Sequence, residues 1–489
     1  MPDGRTDRRS LPRRIASLAV CRCGIRLSAV FVCATLLFAG RAHPQKLVTV
    51  NAANCSKSAV QAAVKKAGSG DTVLVPAGNC TWDTSLTLPH SNDLTLKGAG
   101  IGHTHIKCPS GLCVQIDIAA SHRVTGFTMS GPGGLIASRR NSNQNPDKYF
   151  RIDHNHLVST GGTWGDVSIY GSSNGVHPQG LFDNNRIEDI SIKPQGSNYG
   201  LDEAEYQHQL WAQQPPRGGG VGIVYIEDNT FVGTSANINW ADSNYGGRYV
   251  FRFNTGSGKG YVEIHSVQGL NRAAQWWEIY KNTFSTNQWP GMVFARGGSG
   301  VIFGNRLPEF YGVYGITLDN VRSKRDPGGG VGRCNGSSNW DGNTEGQSGY
   351  PCRDQIGRSY DIIPWSPGQS SKQPLTPAYF WDNLSASRRF QVDNRGQTTW
   401  IKEDRDYYNY TDSFDGTRGV GSGTLGERPT TCTTGVAYWA TDQGDWNSRQ
   451  SGPDGQLYMC TATNNWVLYY TPYTYPHPFQ AGSTTADRQ

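Results

Sequence analysis

Four short segments carry the side chains that suit an active site. The sequence reads VSIYGSS from Val167, NINWADS from Asn237, YVEIHSV from Tyr261 and MVFARGG from Met292. Aligned as equivalent strands, they group Tyr170, Trp240, Asp242, Glu263, His265 and Arg296. Because side chains alternate between the two faces of a strand, Glu263 and His265 share one face. The two aromatic residues, Tyr170 and Trp240, suit stacking on sugar rings, so the segments predict a substrate-facing patch.

The patch has the residue types of acid–base catalysis. Histidine titrates near neutral pH, so His265 suits a general base, with Glu263 orienting it or acting as an acid. Arg296 suits a substrate carboxylate. If Asp242 and Glu263 face each other on neighbouring strands, they form a hydrolase pair whose separation decides between inverting and retaining chemistry. The alternative is a polar outer sheet without catalysis.

A second set of outward side chains stands two residues before a repeated asparagine. It consists of Asp153, Asp183, Glu227, Arg252, Tyr280 and Phe303. Stacked carboxylates repel one another unless a cation or a shared proton intervenes, and hard oxygen ligands suit Ca²⁺. We therefore expect a Ca²⁺ site at Asp153, Asp183 and Glu227, the acidic column, with Tyr280 as a substrate contact. The alternative is an acidic stripe that water solvates.

A repeated phrase ending in asparagine must position both sets. The phrases FRIDHN, LFDNN, VYIEDN, VFRFN, WEIYKN and VIFGN place Asn155, Asn185, Asn229, Asn254, Asn282 and Asn305. An apolar residue stands three positions before each asparagine, and another stands two positions after it, with Gly256 the one exception. Spacings mostly in the twenties predict a solenoid of strands. In it the apolar residues pack inside, and the asparagine side chains bond to one another as a ladder.

The chain before the repeats resembles a known superfamily. Residues 58–67 (SAVQAAVKKA) predict an amphipathic helix that caps the first coil. This helix, the run GSGDTVLVPAGNCTW, LTLKGAGIGHTHI and the asparagine phrases resemble the pectate-lyase-like right-handed parallel β-helix proteins, over about residues 48–325. The resemblance implies an all-β solenoid. The superfamily includes polysaccharide lyases, glycoside hydrolases, esterases and noncatalytic adhesins, and no member's catalytic motif is matched.

The resemblance also implies a role for one arginine of the second set. In polyuronate lyases of this fold, calcium neutralises the substrate carboxylate and a basic residue removes the C5 proton. Arg252 follows the three carboxylates in the column and would be the catalytic arginine within reach.

The N-terminal residues predict export. Residues 1–42 combine a basic stretch with the apolar run LSAVFVCATLLFA, which is typical of a signal peptide. They hold eight arginines and two aspartates, and the whole chain carries a net charge of +6, so the remainder is near neutral and gives no reason to expect nucleic acid. Eight cysteines remain after residue 42, and short loops favour the pairs Cys55–Cys80, Cys108–Cys113, Cys334–Cys352 and Cys432–Cys460.

The sequence predicts four regions and one class of partner. The regions are a signal peptide at 1–42, a capped β-helix at 46–325, a Gly-, Ser- and Pro-rich disulfide loop region at 326–374, and an aromatic C-terminal coil or cap module at 375–480. A polar insertion within the β-helix adds the weaker candidates Asp202, Glu203, Glu205 and His208.

We expect a monomer, secreted or periplasmic and without membrane insertion. It would act as a lyase or glycoside hydrolase on an extracellular glycan, acidic glycans included, in a groove along the β-helix. The alternative is a noncatalytic carbohydrate-binding or adhesive protein.

Overall fold

The asparagines of the repeated phrase stack on one another in the computed structural model of the chain. The side-chain amide of Asn155 donates to Asn185 Oδ1, and the same bond joins each following pair, at 2.8–3.2 Å, through Asn229, Asn254, Asn282, Asn305 and Asn383. Each Oδ1 also accepts the backbone N–H of the asparagine on the preceding coil. The predicted ladder is confirmed, and Asn383 extends it by one coil.

The structure describes most of the chain after the predicted signal peptide. The described residues are 47–138, 147–161, 165–171, 177–196, 218, 220, 222–265, 272–286, 291–309, 314–320, 352, 354–361, 373–396 and 400–481. From Leu47 onward they belong to one unit. The signal peptide and the four insertion candidates lie outside these ranges. None of the helices within the ranges has the length and hydropathy that a bilayer span requires.

The first sheet of the solenoid contains twelve parallel strands that follow one another in chain order. They are β1 (Thr49–Asn51), β2 (Thr72–Val75), β5 (Leu94–Gly98), β8 (His122–Thr125), β11 (Phe150–Asp153), β14 (Gly180–Asp183), β17 (Val224–Glu227), β19 (Arg248–Arg252), β21 (Trp276–Tyr280), β24 (Ser299–Phe303), β27 (Ala378–Trp381) and β31 (Tyr407–Asn409). Equivalent positions of the repeat pair in register, as in Ile152 with Phe182 and Phe182 with Ile226. The chain is therefore the predicted right-handed parallel β-helix.

The second and third faces join in one sheet of sixteen strands, because two long strands run through the corner between them. The second face holds β3 (Gly78–Thr81), β6 (Thr104–Lys107), β9 (Thr128–Gly131), β12 (His156–Ser159), β15 (Arg186–Glu188), the first halves of β18 (Thr230–Ala241) and β20 (Thr255–Ile264), β22 (Thr283–Ser285), β25 (Arg306–Leu307), β28 (Leu384–Ser385) and the antiparallel β29 (Arg388–Arg389).

The third face carries the candidate site. It holds β13 (Gly165–Tyr170), β16 (Ile190–Gln195), the second halves of β18 and β20, β23 (Val293–Ala295), β26 (Ile316–Leu318) and β30 (Val392–Asp393). A separate parallel sheet packs beside β13 and is formed by β4 (Leu86–Thr87), β7 (Leu112–Ile116) and β10 (Leu135–Ser138).

The interior is one apolar core that runs along the solenoid. The residues three positions before each asparagine are fully buried in it, namely Ile152, Phe182, Ile226, Phe251, Ile279 and Ile302. Trp240 explains the exception at Gly256, because its buried ring occupies the space that side chains at Gly256 and Gly260 would need. The ring also meets Phe284 edge-on, with centroids 4.7 Å apart. A large side chain of one coil thus fills the gap that two glycines of the next coil leave.

The N-terminal end is capped as predicted. Helix α1 (Lys57–Lys66) begins after Ser56, whose hydroxyl accepts the backbone N–H of Ala59 at 3.4 Å, and its buried residues are Val60, Ala63 and Val64. Disulfides join Cys55 to Cys80 and Cys108 to Cys113, which confirms two of the predicted pairs.

A four-stranded sheet follows the last coil. It consists of β32 (Val420–Gly423), β33 (Ala437–Ala440), β34 (Gln456–Ala462) and β35 (Asn465–Tyr470), with short 3₁₀ helices at Leu425–Glu427 and Pro478–Ala481. The predicted Cys432–Cys460 disulfide is confirmed. Cys352 is disulfide-bonded, and its predicted partner Cys334 lies outside the described ranges. Trp439 packs on the first sheet, with its ring 5.1 Å from Phe303 and 4.9 Å from Trp381.

Candidate functional site

The acidic column of the first sheet is covered by the C-terminal segment of the chain. Its three carboxylates, Asp153, Asp183 and Glu227, are fully buried. Glu227 Oε1 accepts the backbone N–H of His477 at 2.7 Å and the side-chain amide of Gln480 at 2.8 Å. The column is therefore a seam on which the C-terminal segment docks. It is neither an open groove nor the solvated stripe of the alternative reading.

Arginines neutralise the column. The pairs are Asp153 with Arg123 at 2.5 Å, Asp183 with Arg151 at 2.8 Å and Glu227 with Arg252 at 2.5 Å. A Ca²⁺ ion takes six to eight oxygen ligands, whereas these oxygens already accept hydrogen bonds from guanidinium and backbone groups. Asp153 and Asp183 nevertheless offer, together with His154, ligand atoms within 4.8 Å of one another, so a metal site at these two carboxylates stays a prediction. Glu227 is engaged by Arg252, His477 and Gln480.

Arg252 and Tyr280 are also structural. Both are fully buried. Arg252 donates to the carbonyls of Tyr473 and Thr474 at 2.6 and 2.9 Å and to the Tyr280 hydroxyl at 2.9 Å. Tyr280 stacks on Phe303 with ring centroids 4.6 Å apart. The expected catalytic and substrate-binding roles of these two residues are corrected, because the C-terminal segment occupies the place of a substrate.

Asp242, Glu263, His265 and Arg296 meet on the outer surface of the third face of the solenoid, which we also call the third sheet, and we name them the third-sheet cluster. They stand at or directly after the ends of β18, β20 and β23. The carboxylates of Asp242 and Glu263 and a ring nitrogen of His265 each offer an atom within 4.8 Å of the other two. His265 and Arg296 keep 21% and 14% of their side chains exposed, so solvent reaches the cluster.

A β-bulge decides which side chains of β18 face outward. The pairing with β20 shifts between Asn239 and Ala241, so one extra residue enters β18. Trp240 and Ala241 both point into the core, and Asp242 returns to the outer surface. The expectation that Trp240 lies outside beside Asp242, ready to stack on sugar, is corrected. Simple alternation fails because it does not include the bulge.

Tyr170 does not join the cluster. It pairs with Gln195 at the end of β13, two strands before β18, and is 8% exposed. Strands lie about 4.8 Å apart, so the ring stands roughly two strand spacings from Asp242. The predicted aromatic platform of Tyr170 and Trp240 is therefore absent from the described residues around the cluster.

The cluster is held by a network of short contacts. Asp242 Oδ2 lies 3.3 Å from His265 Nδ1, and Glu263 Oε1 lies 3.9 Å from the same nitrogen. Arg296 Nη2 contacts Glu263 Oε1 and lies 2.9 Å from His265 Nδ1. Tyr261 donates its hydroxyl to Glu263 Oε2 at 3.2 Å. Glu263 thus accepts a hydrogen bond from a guanidinium on one oxygen and from a neutral hydroxyl on the other.

His265 Nδ1 has two competing partners. With a proton it donates to Asp242, and without one it accepts from Arg296, because a guanidinium only donates. One ring nitrogen cannot do both. The tautomer and charge of His265 therefore decide whether Nδ1 bonds to Asp242 or to Arg296.

Burial and charge move the pKa values of the two carboxyl groups in opposite directions. Burial, followed by the Asp242 carboxylate, raises the pKa of Glu263. Burial also acts to raise the pKa of Asp242, but the charges of His265, Lys193 and Arg296 outweigh it and lower that pKa. For His265, burial acts to lower the pKa, and the Asp242 charge and hydrogen bond more than compensate and raise it. The pKa of Glu263 is therefore raised while that of its neighbour Asp242 is lowered.

Three further side chains belong to the site, and the sequence reading missed them. Asn239 donates to Glu263 Oε2, Tyr261 donates to the same oxygen, and Lys193 Nζ lies 3.9 Å from Asp242 Oδ2. Strand alternation alone places Tyr261 on the face of Glu263. The position of Asn239 depends on the bulge, which no local pattern in the sequence marks.

Three buried polar atoms of the site have no hydrogen-bond partner within the described part of the chain. They are Asp242 Oδ1, Asn239 Oδ1 and Arg296 Nε. Buried polar atoms are nearly always paired in proteins. Two acceptors and one donor of the site are thus unpaired within the described residues.

Comparisons with known proteins give distant similarity only. No family model matches the chain, and no curated protein matches it. Among solved structures, it is similar to an alginate lyase from Paenibacillus sp. str. FPU-7, with 18% identity, a TM-score of 0.29 and coverage of 53% of this chain and 94% of that chain. It is also similar to the catalytic domain of a GH87 alpha-1,3-glucanase in complex with nigerose, with 12% identity, a TM-score of 0.26 and coverage of 72% and 68%. Such distant likenesses carry no argument about activity, which must come from the site itself.

Proposed function

We propose that this protein is an exported enzyme that cleaves glycosidic bonds of an extracellular polysaccharide at the third-sheet cluster. The observation that carries the proposal is the pair of neighbouring carboxyl groups, Asp242 and Glu263, whose pKa values are moved in opposite directions. Two neighbouring titratable groups whose pKa values are moved apart are the usual signature of an acid and its partner base.

Glu263 serves as the acid. Its raised pKa favours the protonated form relative to an ordinary glutamate, and the hydroxyl of Tyr261 and the amide of Asn239 hold the carboxyl in place. The leaving oxygen of a glycosidic bond needs a proton as the bond breaks. Glu263 would supply it from a carboxyl that is 5% exposed and therefore poorly solvated.

Asp242 serves as the charged partner. His265 and Lys193 stabilise its ionised form, and its second oxygen, Oδ1, has no partner within the described residues. This oxygen would either attack the sugar or take a proton from water. The oxygens of Asp242 and Glu263 lie within 4.8 Å of each other, and carboxyl groups about 5–5.5 Å apart are typical of retaining glycosidases. Retention of the anomeric configuration in the product would therefore show that Asp242 attacks the sugar, and inversion would show that it takes a proton from water.

The unpaired polar atoms suit a sugar. A hydroxyl group both donates and accepts hydrogen bonds. Adjacent sugar hydroxyls can therefore donate to Asp242 Oδ1 and Asn239 Oδ1, and one can accept from Arg296 Nε. The third sheet continues on both sides of the cluster, with Lys193 on one side and Thr317 on the other. A solenoid face of this kind can contact several units of a polymer.

Cleavage of an acidic glycan by β-elimination is the second candidate, and one contact favours it. Arg296 Nη2 lies 2.9 Å from His265 Nδ1, and this contact is a hydrogen bond when the imidazole is neutral with its lone pair on Nδ1. Once Arg296 leaves Nδ1 to bind the carboxylate of the sugar, the freed lone pair can remove a proton from carbon.

A panel of polysaccharides incubated with the wild-type protein tests the proposal. Pectin, alginate, glycosaminoglycans and neutral glycans are offered with and without Ca²⁺. We expect new reducing ends from hydrolysis without ultraviolet absorbance, whereas β-elimination gives an unsaturated, absorbing product. Retardation in a glycan-loaded gel without any product would contradict catalysis and favour the noncatalytic binding protein.

A further inference from the structure

A buried arginine beyond the cluster joins two carboxylates from a distant part of the chain. Arg272 is 1% exposed. It donates to Asp354 through Nε and Nη2, at 2.6 and 2.9 Å, and to Asp361 through Nη1 and Nη2, both at 3.1 Å. The side-chain amide of Gln373 donates to Asp354 at 2.5 Å and to Asp361 at 3.0 Å. We call these four residues the Arg272 clamp.

The clamp touches the backbone on both sides of the third-sheet cluster. Next to Arg272, the N–H of Ala274 donates to the carbonyl of His265 at 3.2 Å. The Asp354 carbonyl accepts the N–H of Gly298, two residues after Arg296, at 3.2 Å. The clamp therefore connects the backbone at His265 to the backbone that follows Arg296.

The approach between these segments is close. A Cβ at Gly297 would stand 2.6 Å from both the Ala273 Cβ and the Asp354 carbonyl oxygen, so only glycine fits there. Gly357 adds a second bond by donating its N–H to the Gly298 carbonyl at 2.9 Å. A small movement of the 354–361 segment would thus be transmitted to the turn that carries Arg296.

Stability alone does not account for the clamp. The clamp places two carboxylates and a guanidinium in a buried position, and the desolvation of such a group offsets most of its attraction. Well-packed apolar residues would stabilise the same site equally well. What they would not supply is a fixed direction and distance between two segments.

We propose that Arg272 is a positioning residue for the third-sheet cluster: through Asp354 and Asp361 it fixes the distance between His265 and Arg296. This inference rests on the proposed function of the cluster. Without the clamp, the Gly297–Gly298 turn relaxes and Arg296 leaves Nδ1 of His265. The charged groups that face His265 are Asp242 from the preceding coil, Glu263 from its own coil and Arg296 from the next coil.

The test is the titration of His265 in the full-length mature protein, followed by NMR of carbon-13-labelled histidine and assigned with His265→Gln. We expect Arg272→Lys, which keeps the charge, to raise the midpoint of the His265 titration by about half a pH unit or more. In the wild-type protein the nearby Arg296 cation disfavours the imidazolium, and in the variant Arg296 moves away. Asp361→Asn covers the case in which Arg272→Lys does not fold. Loss of a negative charge would by itself lower the midpoint, so a rise reports movement of Arg296.

Arg151→Lys is the matched control. Arg151 is buried and makes the same two-point contact, with Asp183 at 2.9 and 2.8 Å, but on the first sheet. Its replacement should leave the His265 midpoint unchanged. An unchanged midpoint in both Arg272→Lys and Asp361→Asn would overturn the positioning role. If the wild-type protein cleaves no glycan, the proposed function fails, and the titration still decides the clamp.

Discussion

The indole ring of Trp240 lies in the interior where a side chain at Gly260, on the neighbouring coil, would stand. The bulge that turns Trp240 inward also brings Asp242 to the outer surface beside Glu263. The packing of the core and the position of a candidate catalytic carboxylate therefore depend on the same irregularity.

Replacing Gly260 with alanine should destabilise the protein. The added methyl group would overlap the Trp240 ring, and overpacking of a core typically costs about 1–3 kcal/mol. Urea unfolding monitored by tryptophan fluorescence measures the change. Gly426→Ala is the control, because no atom lies within 4 Å of the added Cβ, and it should change stability by less than about 0.5 kcal/mol. Equal stability of the two variants would argue against the tight Trp240 contact.

The asparagine ladder should be sensitive to loss of one interior member. Asn229→Leu removes the acceptor of the Asn185 backbone N–H, one of the two acceptors of the Asn185 side-chain amide, and the amide that donates to the Phe182 carbonyl. Each unsatisfied buried group costs about 1–3 kcal/mol, so we expect a loss of several kcal/mol or failure to fold. Chemical denaturation measures the loss.

The control for the ladder variant is Asn51→Leu, because Asn51 is an exposed asparagine on the first strand, β1. The same replacement there should change stability by less than about 0.5 kcal/mol. A stable Asn229→Leu protein would show that the ladder adds little.

Arg252→Met should unfold the C-terminal docking seam without a specific effect on catalysis. It leaves Glu227 buried and without its cation, which typically costs about 3–5 kcal/mol. The double variant Arg252→Met with Glu227→Met should recover part of that loss, because no unpaired charge remains. Thermal unfolding measures both. A variant that keeps wild-type stability but loses glycan cleavage would restore the catalytic role that the sequence suggested for Arg252.

His122 should make the protein less stable in acid. Burial, only partly opposed by Asp117 and Asp93, lowers the pKa of His122 from 6.5 to about 4. The unfolded chain therefore binds the extra proton between these two values, so stability falls as the pH drops from 6.5 to 4, by about 3 kcal/mol in total. Urea unfolding at pH 7 and pH 4.5 measures the slope. His122→Phe should flatten it, and an identical slope in that variant would rule out His122 as its source.

The sequence predicts what repeats locally. The asparagine phrase and the apolar residue three positions before it, such as Ile226, recur with the coil and are enough to infer the solenoid and its interior. Short loops between cysteines gave three of the disulfide pairs that the structure describes. Alignment of equivalent strands also grouped the residues of the third-sheet cluster.

The sequence does not predict contacts made across long chain separations. Arg252 meets the carbonyl of Tyr473, which is 221 residues away, and Arg272 meets Asp354, which is 82 residues away. No periodic pattern connects such positions. The sequence therefore predicts an open surface at the acidic column and does not predict the clamp. It does not predict the bulge at Trp240 for a different reason, because one inserted residue leaves the composition of a strand unchanged.

The rate of glycan cleavage by Glu263→Gln tests the account most directly. Glutamine keeps the shape of the side chain but cannot supply a proton, and loss of a general acid typically costs about 10²–10⁴-fold in rate. We expect kcat to fall by that factor with KM little changed, while Glu188→Gln, a half-buried glutamate on the second face, keeps the wild-type rate. Wild-type turnover by Glu263→Gln would contradict the assignment of the third-sheet cluster as the catalytic site.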